Sequence, residues 1–341
     1  MEKTIDRPLV KMDIIDLENE QIGASRLKLS YYSQLDGLRF VSIFGVLFQH
    51  FINPHVSHFF LSGNAGVDLF FVISGFLITE SLLSLKKRHS VASGLKVFYV
   101  RRTLRIFPLY YLYWSILLIF FFSQVNDHKW WGLFYSINFY DIYDDGSTLT
   151  GHLWSLAVEE QFYILWPVMM LLIPSNRIIG FIISILLVAT GFIFFNFNNL
   201  NQNYNYFHTL SCSIALITGA ALACIKNIIP QQLPKLIRYA KWLSIPAFLT
   251  FLYISIIYGQ GKSEDRYLIF IRFCICVIGF FWVGRVVTRP FTGIWGRFLQ
   301  NKWVQRVGQV SYGIYISLPG VSPSSAIPKK FNGQVIFCSG I

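Results

Sequence analysis

Two residues able to do chemistry stand eleven positions apart in LDGLRFVSIFGVLFQHF, which runs from Leu35 to Phe51: Arg39 and His50. An arginine offers anions such as phosphate a planar fork of donors. An imidazole takes up and returns protons near neutral pH. At about 100° per residue, eleven residues bring two side chains within about 20° of one helix face, about 16 Å apart along the axis. Ser42, Val46 and Asn53 lie on or near that stripe, with Gln49 at its edge. Taken singly, Arg39 reads as an interfacial anchor and His50 as a packed helix residue. Together on one face they read as functional, because ionisable groups in apolar helices face a bundle interior or a watery cavity.

Three further groups can converge on that stripe. Asp68 begins the next apolar run at a depth close to His50 and reads either as a carboxylate orienting the imidazole or as an ordinary helix-start acid. Glu159 and Glu160 are adjacent, so they point about 100° apart and only one is expected to face a cavity. Glu160, beside Gln161, reads as that one, and Glu159 reads equally as a boundary residue. Arg102 and Arg105, with Arg101, precede the third apolar run; at i,i+3 they are neighbours on a helix surface. They read as topology-setting charge or as a phosphate clamp. There is no Gly-rich nucleotide motif, no zinc-ligand spacing and no G-x-S-x-G elbow, so no metal site is expected.

The elements that must position these residues are membrane helices. Of 341 residues 54% are hydrophobic and only 13% charged, against about 25% charged in a soluble domain. Continuous apolar runs near 38–55, 66–85, 106–125, 155–173, 178–196, 210–225, 242–258 and 267–284 are long enough to span, and a weaker ninth begins near Val307. We therefore expect an all-α polytopic transmembrane bundle of eight spans plus that weak ninth. The net charge of +12 is dispersed between the runs, which argues against nucleic acid. Lys86, Lys87, Arg88, Lys96 and the arginines up to Arg105 form one such loop without an acid, expected to be cytoplasmic. Alternation then places the N-terminus inside, Arg39 at the cytoplasmic boundary and His50 in the outer half.

The aromatic 126–154 loop reads as an interfacial segment. Gly66 and Gly75 are candidates for close helix packing. Cys212, Cys224, Cys274 and Cys276 fall in apolar runs and suit neither zinc nor a disulfide framework. The first 30 residues lack an apolar signal-peptide core. Residues 1–34 are expected to be a cytoplasmic extension, 35–318 the membrane domain and 319–341 an irregular tail rich in Pro, Ser and Gly.

At these residues the chain resembles the acyltransferase 3 family of integral membrane proteins. LDGLRFVSIFGVLFQHF carries the family's Arg-x10-His pattern as Arg39 and His50, and FYVRRTLRIFPLYYLY resembles its Arg-x-x-Arg motif through Arg102 and Arg105. GVDLFFVISGFLITESLL looks like its second helix, GHLWSLAVEEQFYILWPV like its Trp-Ser-Leu…Glu-Gln-Phe-Tyr segment, and VGQVSYGIYI like the start of its last helix. The resemblance spans residues 31–318 and implies transfer of an acyl group, usually acetyl, from cytoplasmic acyl-coenzyme A to a hydroxyl of an extracytoplasmic carbohydrate such as lipopolysaccharide or peptidoglycan. It also implies a bacterial inner membrane, about ten helices and both termini inside. After Ile316 this chain departs from that pattern, and a truncation or reading-frame change that removes the complete last helix is the expectation.

Combining both lines, Arg39, Arg102 and Arg105 are expected to hold the donor's phosphates. His50 is then a general base or a covalent acyl carrier, with Asp68 or Glu160 fixing its tautomer. The rival readings are a transporter with a proton-linked polar path, and an inactive scaffold. No internal inverted repeat of the transporter kind is evident.

Overall fold

The structure, a computed structural model, describes residues 32–51, 62–143, 149–197, 202–259 and 266–318, with the backbone of 329–331 and 334–336. By contact, Met1–Tyr32 and Ser33–Ile341 are separate units, and only Tyr32 of the first is described. The expected N-terminal extension, Asn53 of the stripe and most of the tail lie outside the described residues.

Eight long helices carry the fold: α1 (Ser33–Phe51), α2 (Ser62–Lys86), α3 (Val91–Phe120), α4 (Leu153–Leu172), α5 (Ile178–Phe195), α6 (Thr209–Ile228), α7 (Leu233–Gly259) and α8 (Arg266–Thr288). Three short ones follow, α9 (Gly293–Gln300), α10 (Lys302–Gln309) and α11 (Ser311–Ile316). The departure from an all-α chain is a small antiparallel hairpin, β1 (Lys329–Phe331) and β2 (Gln334–Ile336), with Lys329 opposite Ile336.

Among the described residues six helices are long and apolar enough to cross a bilayer: Gly63–Lys86, Val91–Phe120, Ser175–Phe195, Tyr204–Ile228, Pro230–Ile257 and Tyr267–Thr288. The protein is an integral membrane protein. The expected count of eight or nine spans is not reached on that measure. The two shortfalls, α1 and α4, are the helices that hold Asp36, Arg39, Gln49 and His50, and Glu159, Glu160 and Gln161. Their polar residues lower their mean hydropathy. The weak ninth run is broken at Val310 into α10 and α11.

Local chemistry explains the boundaries. Ser90 caps α3, its side chain accepting from Ser93 N at 3.4 Å, so the basic stretch through Arg105 is helical and α3 starts well before the expected residue 106. At the far end of α4, Lys86 Nζ donates to the carbonyls of Met170, at 2.8 Å, and Ile173. It thereby satisfies acceptors a helix C-terminus leaves open. Asn301 caps α10 through Trp303 N at 2.9 Å. The aromatic loop is not extended but a chain of short helices from Phe122 to Tyr143. It is clamped to α3 by Tyr110 Oη on Gly132 O at 2.7 Å and Tyr111 Oη on Leu133 O at 3.2 Å. Trp130, Trp131, Phe134 and Tyr143 remain exposed along it.

Helix α2 lies at the centre, packed on α1, α4, α6 and α8. In its apolar window 78% of residues are buried, against 17% for α7, so α7 belongs to the lipid-facing perimeter. There Trp242, Leu243, Leu249 and Tyr253 are exposed, as suits hydrocarbon and not water. The α2–α6 crossing is a backbone contact: a Cβ on Gly75 would strike Leu216 O, and one on Gly219 would strike Val72 O. Gly66 plays the same part against Ser42 O of α1.

A buried ion pair ties α2 to α8. Arg272 Nε donates to Asp68 Oδ1 at 2.9 Å, with side chains 1% and 2% exposed. Arg272 Nη2 also donates to Tyr206 O at 3.1 Å. Breaking one partner of such a pair strands the other charge. Arg272→Met is expected to destabilise the protein by about 3–5 kcal/mol, read as a fall in Tm in detergent, and Asp68→Leu/Arg272→Met to recover most of it. An unchanged Tm in the single variant would mean the pair contributes nothing to stability.

Candidate active site

The site is built along α1, whose stripe is covered by α2, α4 and the short helices near the chain's end. At its lower end Arg39 Nη1 donates to Asp36 Oδ1 of the preceding turn at 3.3 Å, and Gln309 Nε2 donates to Asp36 Oδ2 at 2.9 Å. Arg102 stacks its guanidinium 4.3 Å above the Tyr163 ring of α4. Arg105 lies within electrostatic reach of both Arg102 and Arg39, Glu159 of Arg102 and Arg39, and Glu160 of Arg102. The three arginines anticipated from the sequence therefore meet at one place. Arg105 is exposed and Arg102 half-buried, so both remain open to a ligand.

Beside the stripe lies a small, partly open cavity of about 40 Å³. Val46 of α1, Phe70 and Phe71 of α2 and Leu156 of α4 give it an apolar wall. Ser155 and Glu159 of α4 and Tyr315 of α11 add polar groups. Val46 lies on the stripe between Arg39 and His50, one turn before the histidine. Ser42, on the same stripe, spends its hydroxyl on Leu38 O at 3.2 Å.

His50 is half-buried at the upper end, and its Nδ1 has no partner among the described residues. Asp68 is engaged by Arg272, and no bond from it to His50 occurs among the described residues. Of the adjacent glutamates it is Glu159 that lines the cavity, near Ser74 and Tyr163, with Oε1 unpartnered among the described residues. Glu160, 7% exposed, sits instead among Tyr110, Tyr111, Tyr135 and Tyr312. Tyr135 holds φ at 51°, a left-handed conformation uncommon outside glycine. Gln161 Nε2 fixes its carbonyl at 2.8 Å. Among the described residues no cluster of His, Cys, Asp and Glu has the makings of a metal site.

Three residues at or near this geometry are not singled out by sequence reasoning: Arg272, Tyr315 and His152. Arg272 carries a signal, a lone charge in IFIRFCICVIGFF of the same kind as Arg39. Tyr315 and His152 carry none of comparable strength.

A membrane bundle with arginines toward one end of α1, a histidine toward the other and a cavity against Val46 between them is compatible with an acyltransferase. The acyltransferase domain of the acyltransferase 3 family matches residues 32–318, and the chain belongs to that family. It is similar to the peptidoglycan O-acetyltransferase OatA of Listeria monocytogenes, 26% identical over 325 residues covering 86% of this chain and 49% of the relative. It is also similar to the putative peptidoglycan O-acetyltransferase YrhL of Bacillus subtilis, 27% identical over 316 residues, 84% of this chain and 48% of the relative. A putative O-acetyltransferase of Staphylococcus aureus strain COL is 27% identical over 313 residues, 85% and 50%. The chain thus spans about half the length of these relatives. No solved structure matches it.

The cavity geometry separates the two glutamates experimentally. Glu159→Gln is expected to lower acyl transfer by about 100-fold, the scale of a lost acid–base group, and Glu160→Gln by less. The reverse order, measured on inserted protein, would put the working carboxyl outside the cavity.

Proposed function

We propose that the protein is a membrane O-acyltransferase that moves an acetyl group from acetyl-coenzyme A, or another acyl group from its coenzyme A ester, to a hydroxyl of a cell-surface carbohydrate. The observation that carries this reading is the cavity along α1, with Arg39, Arg102 and Arg105 below it and His50 one turn above Val46. The names of the similar proteins favour peptidoglycan as the acceptor over lipopolysaccharide. The basic loop between α2 and α3 supports an orientation with α1 entering from the cytoplasm of a bacterial inner membrane. Eight helices, α1 and α4 included, then cross the bilayer, since polar side chains that face a cavity are tolerated in a span.

The chemistry follows from the residues. Arg102 and Arg105 hold the donor's phosphates at the cytoplasmic mouth through charge-assisted hydrogen bonds, with Arg39 alongside. The donor's flexible arm lies in the apolar cavity, which excludes water from the thioester. His50, neutral, takes the proton of the acceptor hydroxyl as its oxygen attacks the acyl carbon. The C–O bond forms, the C–S bond breaks, and the proton passes to the departing thiolate. Glu159, on the cavity wall, supplies a carboxyl close to the reacting atoms.

Two substitutions test the assignment. His50→Ala, in protein shown to be folded and inserted, is expected to reduce transfer of labelled acetyl to glycan by at least about 100-fold; undiminished transfer would sink the histidine's role. Arg102→Ala is expected to weaken acetyl-coenzyme A binding by roughly tenfold or more, the worth of a charged hydrogen bond. Equal binding by both proteins would remove the clamp.

A further inference from the structure

A second histidine stands at the upper end of the site. His152 immediately precedes α4, is 3% exposed, and lies against the rings of Tyr113 and Tyr315, each at 5.8 Å. Its Nε2 is 3.3 Å from the carbonyl oxygen of Ile316. A carbonyl only accepts, so Nε2 carries the proton, and in the neutral ring Nδ1 is then a bare lone pair. That nitrogen has no partner among the described residues, although buried polar atoms are almost always satisfied.

His152 is also wired to the cavity. Tyr315 Oη donates to His152 O at 2.9 Å and makes a 2.7 Å bond with Ser155 Oγ, and both Tyr315 and Ser155 line the cavity. His50 is within electrostatic reach of His152, and its own Nδ1 is likewise unpartnered among the described residues. Burial pushes the His152 pKa down to about 4, which favours the neutral ring at physiological pH. Two neighbouring imidazoles, each with an unsatisfied Nδ1 among the described residues and one of them bonded to the cavity-lining Tyr315, are more than packing requires.

We propose that His152 is a second functional histidine, whose Nδ1 receives the hydrogen bond of the acceptor's sugar hydroxyl and so presents that hydroxyl to the acyl carbon beside His50. This rests on the acyltransferase reading above. It divides the labour: His50 handles the proton of the reaction, while His152, its tautomer set by α11, fixes where the hydroxyl sits. No bond to His152 forms or breaks during transfer.

The carboxamides separate this role from a structural one. His152→Gln keeps an N–H where Nε2 donates to Ile316 but removes the Nδ1 acceptor; His152→Asn places a carboxamide oxygen near Nδ1 and gives up the Ile316 bond. With labelled acetyl-coenzyme A and soluble peptidoglycan fragments as probes, His152→Gln is expected to raise KM for the fragments at least tenfold. Acetyl-coenzyme A binding should stay unchanged, and His152→Asn should keep more activity than His152→Gln. Wild-type KM in a folded His152→Gln protein, or the opposite order of the two variants, overturns the proposal, as does failure of both to insert, which would make the residue structural. Nitrogen NMR of labelled histidine in the full chain gives a readout that needs no turnover: His152 is expected as the Nε2–H tautomer, and an Nδ1–H tautomer overturns the proposal. A wild-type protein that acetylates no glycan while showing the expected tautomer counts against the acyltransferase reading and overturns the acceptor role with it.

Discussion

Everything in this structure depends on how polar side chains are kept on α1 inside an apolar bundle. An arginine and a histidine in such a helix are stable only if other elements enclose them or give them partners. The close approaches follow from that demand. Gly66 lets α2 ride against Ser42, and a Cβ on Gly37 or Gly308 would meet Leu299 O of α9 or Asp36 O of α1. Gln34 exchanges hydrogen bonds with the Phe291 backbone, at 2.9 and 2.8 Å, to hold the segment before α9 against the foot of α1. The result is a polar stripe enclosed by neighbouring helices, with a small cavity left against Val46.

What the sequence discloses about this site is what can be read along a single helix. The Arg39–His50 interval is a statement about one α-helix, and so is the Arg102–Arg105 pair; the structure keeps each on its helix and gathers the arginines. The start of α3 is legible too, since Ser90 is a good cap, but apolarity alone misses it because the first turns are basic. Relations between helices were not legible. Asp68 and Arg272 are 204 positions apart, so nothing local announces their bond, and Asp68 alone looks free to orient His50.

The choice between Glu159 and Glu160 shows the limit in its sharpest form. Periodicity says that one of two adjacent residues faces a given direction; it does not say which direction holds the cavity. That is decided by where α11 and the tyrosines of α3 and the 129–135 segment settle around α4. Length and composition stop at six spans for a related physical reason. Helices that carry polar side chains inside the bundle are less apolar than those that merely fill the bilayer, so α1 and α4 read weakest on length and composition while holding the candidate site.

The crossing of α2 and α6 has a mechanical consequence. Where Gly75 and Gly219 bring two backbones into contact, neither helix can roll or slide without a clash, and the Asp68–Arg272 pair adds a second fixed point on the same side of α2. The opposite wall of the cavity is closed by α11, six residues held to α4 through Tyr315 and the Ile316 carbonyl. Among the described residues the two sides of the chamber therefore differ in what holds them. The α11 side is thus held to α4 by side-chain hydrogen bonds that run through Tyr315 to His152 and Ser155, while the α2 side is held by backbone contact.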